Sequence, residues 1–154
     1  MTFLSRVSNA LDAAGVHYAL VGGYAVALHG AVRGTIDIDF VLRWSSRDLE
    51  AAEAALGRIG LVSRLPVTAS EVFRFRDEFI RNRNLIAWNF YNPRDLSEQV
   101  DIVISDDLKG KRRVRMETLD GPVQVLSRKD LIAMKRASGR PQDLADVEAL
   151  EKLR

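Results

Sequence analysis

The sequence contains no cysteine. That excludes a disulfide framework and any thiolate metal site. It also lacks any stretch near the roughly 18 consecutive apolar residues that a membrane span requires. Arg6, Asp12 and His17 interrupt the apolar residues of the N-terminal stretch, so no signal peptide is expected and a cytoplasmic location is the default. There is little net charge: 23 basic residues against 21 acidic ones leave +2. That excess is too small to argue nucleic-acid binding by itself. Internal repeats, low-complexity tracts and inter-domain linkers are absent too, so residues 1–154 are expected to form one domain.

What is present is an apolar content of 47%, enough for a real core, and an informative distribution of charge. Arg74, Arg76, Arg81 and Arg83 crowd one segment, and Lys109, Lys111, Arg112, Arg113 and Arg115 another. Each cluster reads as a solvated loop or as a surface for an anionic partner.

The central stretch is Ala19 to Leu42. An apolar strand, Tyr18 to Val21, runs into Gly22-Gly23. A short helix from Tyr24 to His29 follows, stopped by Gly30, and then a second strand carries Asp37 and Asp39. Side chains alternate along a strand, so these two carboxylates face one way while Ile36, Ile38, Phe40 and Leu42 face a core. Two carboxylates about 7 Å apart on one face repel each other. A divalent cation between them relieves that repulsion. Oxygen ligands on a rigid strand suit magnesium, which is held by one or two carboxylates plus substrate phosphates.

Elsewhere the periodicity predicts a first helix over Phe3–Ala14 and an Ala-rich helix from Ser45 or Ser46 to about Ile59, ended by Gly60. A strand is expected over Leu61–Leu65. Val72–Phe75 alternates Phe and Arg, as a half-buried strand or a short helix would. Leu85–Tyr91 and Gln99–Ile104 read as strands, with a turn at Asn92-Pro93. Met116–Leu119 and Val123–Leu126 pair as a hairpin across Asp120-Gly121. Ser127 caps a helix that runs to about Ser138 with Gly139 at its end, and Pro141 opens a last helix. Interleaved strands and helices make the class α/β (α+β), a mixed sheet flanked by helices with a helical pair at the C-terminus.

Asp101 interrupts the apolar strand Val100-Asp101-Ile102-Val103-Ile104. Placed beside the Asp37/Asp39 strand with matching faces, it completes a set of three carboxylates. Two metal ions account for three such charges, in the two-metal logic of in-line phosphoryl displacement. Gly22-Gly23 lets backbone amides approach a phosphate closely.

These features together resemble the nucleotidyltransferase superfamily with the DNA polymerase β-like fold. Its signature is Gly-Gly or Gly-Ser, a helix, an acidic-x-acidic strand and a third acidic residue on a later strand. Here these fall on Gly22, Gly23, Asp37, Asp39 and Asp101. The chain is most similar to the branch related to bacterial abortive-infection toxins, through Val-Gly-Gly-Tyr-Ala, the lead Arg33-Gly34-Thr35, and a tail with Lys135, Ser138, Gly139, Arg140 and Asp143, with Asp146 one turn on. The resemblance spans residues 15–150.

The resemblance implies an enzyme that moves a nucleoside monophosphate from a nucleoside triphosphate such as ATP to a hydroxyl and releases pyrophosphate. It implies Asp37, Asp39 and Asp101 as ligands of two Mg2+ ions, with Asp101 also helping to deprotonate the acceptor. It places Gly22 and Gly23 on the triphosphate, Lys135 on phosphate or nucleotide, and Arg33 and Thr35 at the nucleotide site unless they are plain loop residues. Many relatives carry a serine where this chain has Gly23, so only backbone donors are available there. The larger toxin relatives carry a substantial C-terminal part, so acceptor binding here is expected to use this domain or a second subunit.

The acceptor is expected to be RNA, such as a transfer RNA end, or else a partner protein. A cognate toxin or antitoxin partner, or a homodimer, fits the same picture. The alternatives are an antibiotic-modifying nucleotidyltransferase and a non-catalytic antitoxin or binding module that keeps the fold. Asp143 and Asp146 are expected to pair with Lys135 or Arg140 and fix the tail. His29 is expected to cap or pack, and Trp44 and Trp88 to pack.

Overall fold

A computed structural model describes residues 1–31, 37–119 and 121–153. The helices are α1 (Phe3–Ala13), α2 (Gly22–Leu28), α3 (Ser46–Arg58), α4 (Ala69–Arg74), α5 (Arg76–Arg83), α6 (Arg128–Ser138) and α7 (Pro141–Glu151). The strands are β1 (Tyr18–Val21), β2 (Asp39–Leu42), β3 (Val62–Ser63), β4 (Ala87–Asn92), β5 (Asp95–Val103), β6 (Arg113–Thr118) and β7 (Gly121–Leu126). The strands form one mixed sheet in the order β3-β4-β5-β2-β1-β7-β6. The α/β class with a mixed sheet between helices is therefore the observed architecture.

The register explains the core. β1 runs antiparallel to β2, and β2 runs parallel to β5. With period-two alternation, Tyr18, Leu20, Phe40, Leu42, Val100 and Ile102 share one face, and all are buried. Tyr18 and Phe40 meet edge to face at 5.4 Å. The Tyr18 hydroxyl donates to Asp12 of α1, which lies over that face. Trp88 and Phe90 of β4 extend the apolar layer, and Trp88 satisfies its indole N–H on Ser63 Oγ at 2.8 Å. The opposite face carries Val21, Asp39 and Asp101.

Local chemistry sets most helix ends. Ser45 caps α3 by accepting from the Asp48 amide, and Ser127 caps α6 by accepting from Asp130. Gly139 ends α6 at φ 65°, a left-handed position natural to glycine, and Pro141 opens α7. His29 packs as expected, its Nε2 2.8 Å from the Leu126 carbonyl oxygen.

Several boundaries differ from the sequence reading. α2 starts at Gly22 rather than Tyr24, so the glycine pair is helix first turn and not only a turn before it. β2 starts at Asp39, although the Asp101 amide still bonds the Ile38 carbonyl at 2.9 Å. Over residues 72–75 the short helix, one of the two readings, is the one that forms: a Thr68–Glu71 capping box nucleates α4, which buries Ala69 and Val72 and ends at Arg74 with Phe75 as its C-cap. The Phe/Arg alternation there does not mark a strand, because Phe73 and Phe75 stay exposed. The strand expected over 61–65 shrinks to two residues at the sheet edge, just before Pro66. The hairpin of β6 and β7 forms as expected; Asp120 at its turn lies outside the described residues.

Candidate functional site

Three strands and one turn place the acidic residues. Val21 pairs with Asp39 across β1 and β2, and Asp39 pairs with Asp101 across β2 and β5. Neighbouring strands lie about 4.8 Å apart, so these two carboxylates stand side by side on one face. Asp37, two residues before Asp39, lines the same cavity. The structure thus brings together all three acidic residues singled out in the sequence.

Gly22 closes the group from the β1 side. Its φ is +71°, and a β-carbon built on it would lie 2.2 Å from Asp39 Oδ2. A side chain at this position would collide with the carboxylate, so glycine is required for both conformation and space. Gly22 and Gly23 form the first turn of α2, whose N-cap Val21 makes no side-chain cap. Their backbone amides therefore border the cavity without a capping side chain.

Burial pushes the Asp39 carboxyl up to about 6, and the neighbouring charges of Asp101 and Asp37 push in the same direction. Lys135 and Arg140 pull the other way without cancelling the rise. Asp101 is oriented from β4: Arg64 Nε donates to Asn89 Oδ1 at 2.8 Å, and Asn89 Nδ2 donates to Asp101 Oδ1 at 2.9 Å.

The cavity over these residues measures about 530 Å³, within the range of small-molecule sites. Its lining is charged or polar at the acidic group, the glycines, Lys135 and Arg140, and apolar at Ile86, Ala87, Val103, Leu131 and Met134. α6 and α7 supply its cationic side. Lys135 is buried, with Nζ 2.8 Å from Asp146 Oδ2 and 3.6 Å from Asp143 Oδ1. Arg140 Nε donates to Asp143 Oδ2 at 2.7 Å, which holds that carboxyl below its usual range against the cost of burial. The expected pairing of the tail acids with Lys135 and Arg140 is present.

Arg33 and Thr35 lie outside the described residues. Among the described residues, no group of three or more His, Cys, Asp or Glu side chains could hold a metal ion by itself. Magnesium, though, needs only one or two carboxylates when substrate phosphates complete its shell. The donors here are all oxygen, and the Asp39 carboxyl is raised first by burial and then by the negative charges of Asp101 and Asp37, which a cation relieves. The donor set fits such an ion.

Sequence reasoning overlooked Arg140 and Asp106 as cavity residues, and Asn89 as the partner of Asp101. Arg140 directly follows Gly139 and precedes the Pro141 helix start, so its placement beside α6 was the available signal. Asn89 had none, because its role depends on β4 lying against β5. Among the described residues, no helix is long and apolar enough to cross a membrane.

The fold is shared with solved structures. The lincosamide antibiotic adenylyltransferase LnuA, with lincomycin bound, superimposes with a TM-score of 0.61 at 14% identity, over 99% of this chain and 96% of that one. The antibiotic-resistance factor ANT(2'')-Ia gives 0.57 at 14% identity, over 97% and 79%. An antigenic nucleotidyltransferase-like protein from Paracoccidioides brasiliensis gives 0.55 at 17% identity, over 95% and 72%. No curated protein matches the chain. Residues 2–153 match the family described as nucleotidyl transferase AbiEii toxin, type IV toxin–antitoxin system, and the chain belongs to that family of nucleotidyltransferases.

Proposed function

We propose that residues 1–154 form one magnesium-dependent nucleotidyltransferase domain that transfers a nucleoside monophosphate from a nucleoside triphosphate to a hydroxyl of RNA. The observation that carries this reading is the register Val21–Asp39–Asp101, with Gly22 packed against Asp39. It puts an amide-lined turn and adjoining carboxylates at one spot, as phosphoryl transfer requires.

Asp37, Asp39 and Asp101 would hold two magnesium ions, which when bound supply Lewis-acid neutralisation of the phosphate charge. The amides of Gly22 and Gly23 cradle the triphosphate. Lys135 has three donors and spends them only partly on Asp146 and Asp143, so it adds positive charge on the phosphate side with Arg140. Asp101 takes the proton from the acceptor hydroxyl. The acceptor oxygen forms its bond to the α-phosphorus as the bond from that phosphorus to the bridging oxygen breaks. Pyrophosphate leaves with the electron pair, and the proton passes from Asp101 to solvent.

The basic segments favour RNA as acceptor. Arg76 is partly committed, with Nε on the Ile104 carbonyl at 2.7 Å, and Arg113 donates to the Tyr18 carbonyl at 3.0 Å. Arg74, Arg81, Arg83, Arg112 and Arg115 are exposed and available to phosphates. A second reading, transfer to a small drug-like molecule, draws support from the cavity size and from LnuA, an antibiotic adenylyltransferase of nearly the same extent. Membership of a toxin–antitoxin family supports a partner protein that controls the activity.

Labelled nucleoside triphosphate, magnesium and total RNA test the reading. Wild type should transfer label to RNA, and Asp39→Asn should not. The transfer should weaken steeply with salt, whereas a neutral drug acceptor would be insensitive to it. Label moved equally well by Asp39→Asn would remove the proposed mechanism.

A further inference from the structure

Asp101 stands between two neighbours of opposite effect. Across β2 and β5 it faces Asp39, and across β4 and β5 it faces Asn89. Asp39 carries a like charge; after burial, Asp101 is the largest cause of the raised Asp39 carboxyl. That repulsion favours an Asp101 side chain swung away from its neighbour. Asn89 opposes the swing, because its Nδ2 donates to Asp101 Oδ1 at 2.9 Å.

A side-chain amide can sit either way round, and only one way helps. With Nδ2 toward Asp101 it donates; with Oδ1 there it would set an oxygen against a carboxylate. Two neighbours decide the matter. A guanidinium has donors and no acceptor, so Arg64, whose Nε donates at 2.8 Å, requires Oδ1 on its own side. Gln99 favours the same arrangement. Its Nε2 is held by the Leu96 carbonyl at 2.8 Å, and its Oε1 lies 3.5 Å from Asn89 Nδ2. Arg64 is itself fixed: its backbone amide donates to the Asn89 carbonyl at 2.9 Å, and its guanidinium lies 4.4 Å over the Tyr91 ring.

The fold does not need the bond to Asp101. β4 and β5 are already joined by backbone pairs from Ala87–Val103 to Tyr91–Gln99. Trp88, Phe90, Val100 and Ile102 are buried on the other face of the same two strands.

We infer that Asn89 is a positioning residue that holds the Asp101 carboxylate beside Asp39, and that Arg64 acts only through it, by fixing which end of the amide Asp101 meets. The inference rests on the nucleotidyltransferase reading above. The tether commits Oδ1 and sets the carboxylate in place before the acceptor gives up its proton. Little reorganisation is then left for the moment of transfer. The described residues that line the large cavity do not include Asn89 or Arg64, so the effect falls on turnover and not on binding of the triphosphate.

The experiment compares wild type with Asn89→Ala, Arg64→Ala and the double variant, each checked for folding by thermal melting. With labelled nucleoside triphosphate, magnesium and RNA, Asn89→Ala should lower kcat about 30-fold, the order of one lost hydrogen bond to a charged partner, and leave KM for the triphosphate within twofold. Arg64→Ala should lower kcat about fivefold, and the double variant should be no slower than Asn89→Ala, because the arginine acts through the amide. A second readout needs neither metal nor turnover. In the metal-free protein the side-chain amide of Asn89, followed by proton–nitrogen correlation NMR, should move toward the position of a solvent-exposed amide in Asp101→Ala and in Arg64→Ala. Losses that multiply in the double variant overturn the role given to Arg64. An unchanged kcat in Asn89→Ala, a raised KM in place of a lowered kcat, or unmoved Asn89 amide resonances overturn the positioning role alone. A wild type that transfers label to no acceptor overturns the parent reading and the catalytic consequence with it, while the amide resonances still decide whether the tether exists.

Discussion

The carboxylate of Asp39 occupies the space that a β-carbon on Gly22 would need, 2.2 Å from its Oδ2. One residue closes a tight left-handed turn and the other supplies a charged group, which stands where it does because the first has no side chain. The Gly-Gly pair is thus more than a flexible entry to a helix.

Gly22→Ala should therefore fail twice, through strain at φ +71° and through the clash with Asp39. A stability loss of about 1–3 kcal/mol is expected, measured by denaturant unfolding. Nucleotide transfer should fall at least ~100-fold, because a displaced carboxylate would no longer hold the magnesium that neutralises the phosphate charge. A variant as active as wild type would show that the close approach is unimportant.

Asp39→Asn should make the protein without metal more stable, not less. The carboxyl is raised to about 6 by burial and by Asp101 and Asp37, so its ionised form is destabilising at neutral pH. Neutralising it should add about 1–2 kcal/mol near pH 7.5. Differential scanning calorimetry reads this directly, and the same variant should lose the stabilisation that magnesium with nucleotide gives wild type.

The pH dependence has a definite sign. Folded Asp39 holds its proton more tightly than the unfolded chain does. Between about 4 and 6 the folded state therefore binds more protons, and this group's contribution to stability falls as pH rises through that window. Magnesium must displace the same proton. Its apparent affinity, followed by calorimetric titration at several pH values, should drop as pH falls below about 6 and level off above it.

Lys135→Met should destabilise the C-terminal helical pair. Lys135, Asp143 and Asp146 are all buried, and Lys135 lies 2.8 Å from Asp146. Removing the cation leaves two buried carboxylates, although Arg140 still serves Asp143 and Gln142 still donates to Asp146. A loss of about 3 kcal/mol is expected in chemical denaturation. The double variant Lys135→Met, Asp146→Leu should recover much of it.

Much of this protein was legible before any coordinates. Strand alternation pointed to Asp37 and Asp39 on one side, and both line one cavity although β2 begins only at Asp39; Ser127, Gly139 and Pro141 mark helix ends through local hydrogen bonding and backbone geometry. These are short-range properties, so nearby residues suffice to decide them. The tertiary structure alone decided that β5 lies parallel beside β2 with Asp101 opposite Asp39, that Asn89 of β4, braced by Arg64 just after β3, reaches Asp101, and that residues 72–74 lie in α4 and not in a strand. Register between strands far apart in the chain is set by the packing of the whole apolar face, which no local window contains.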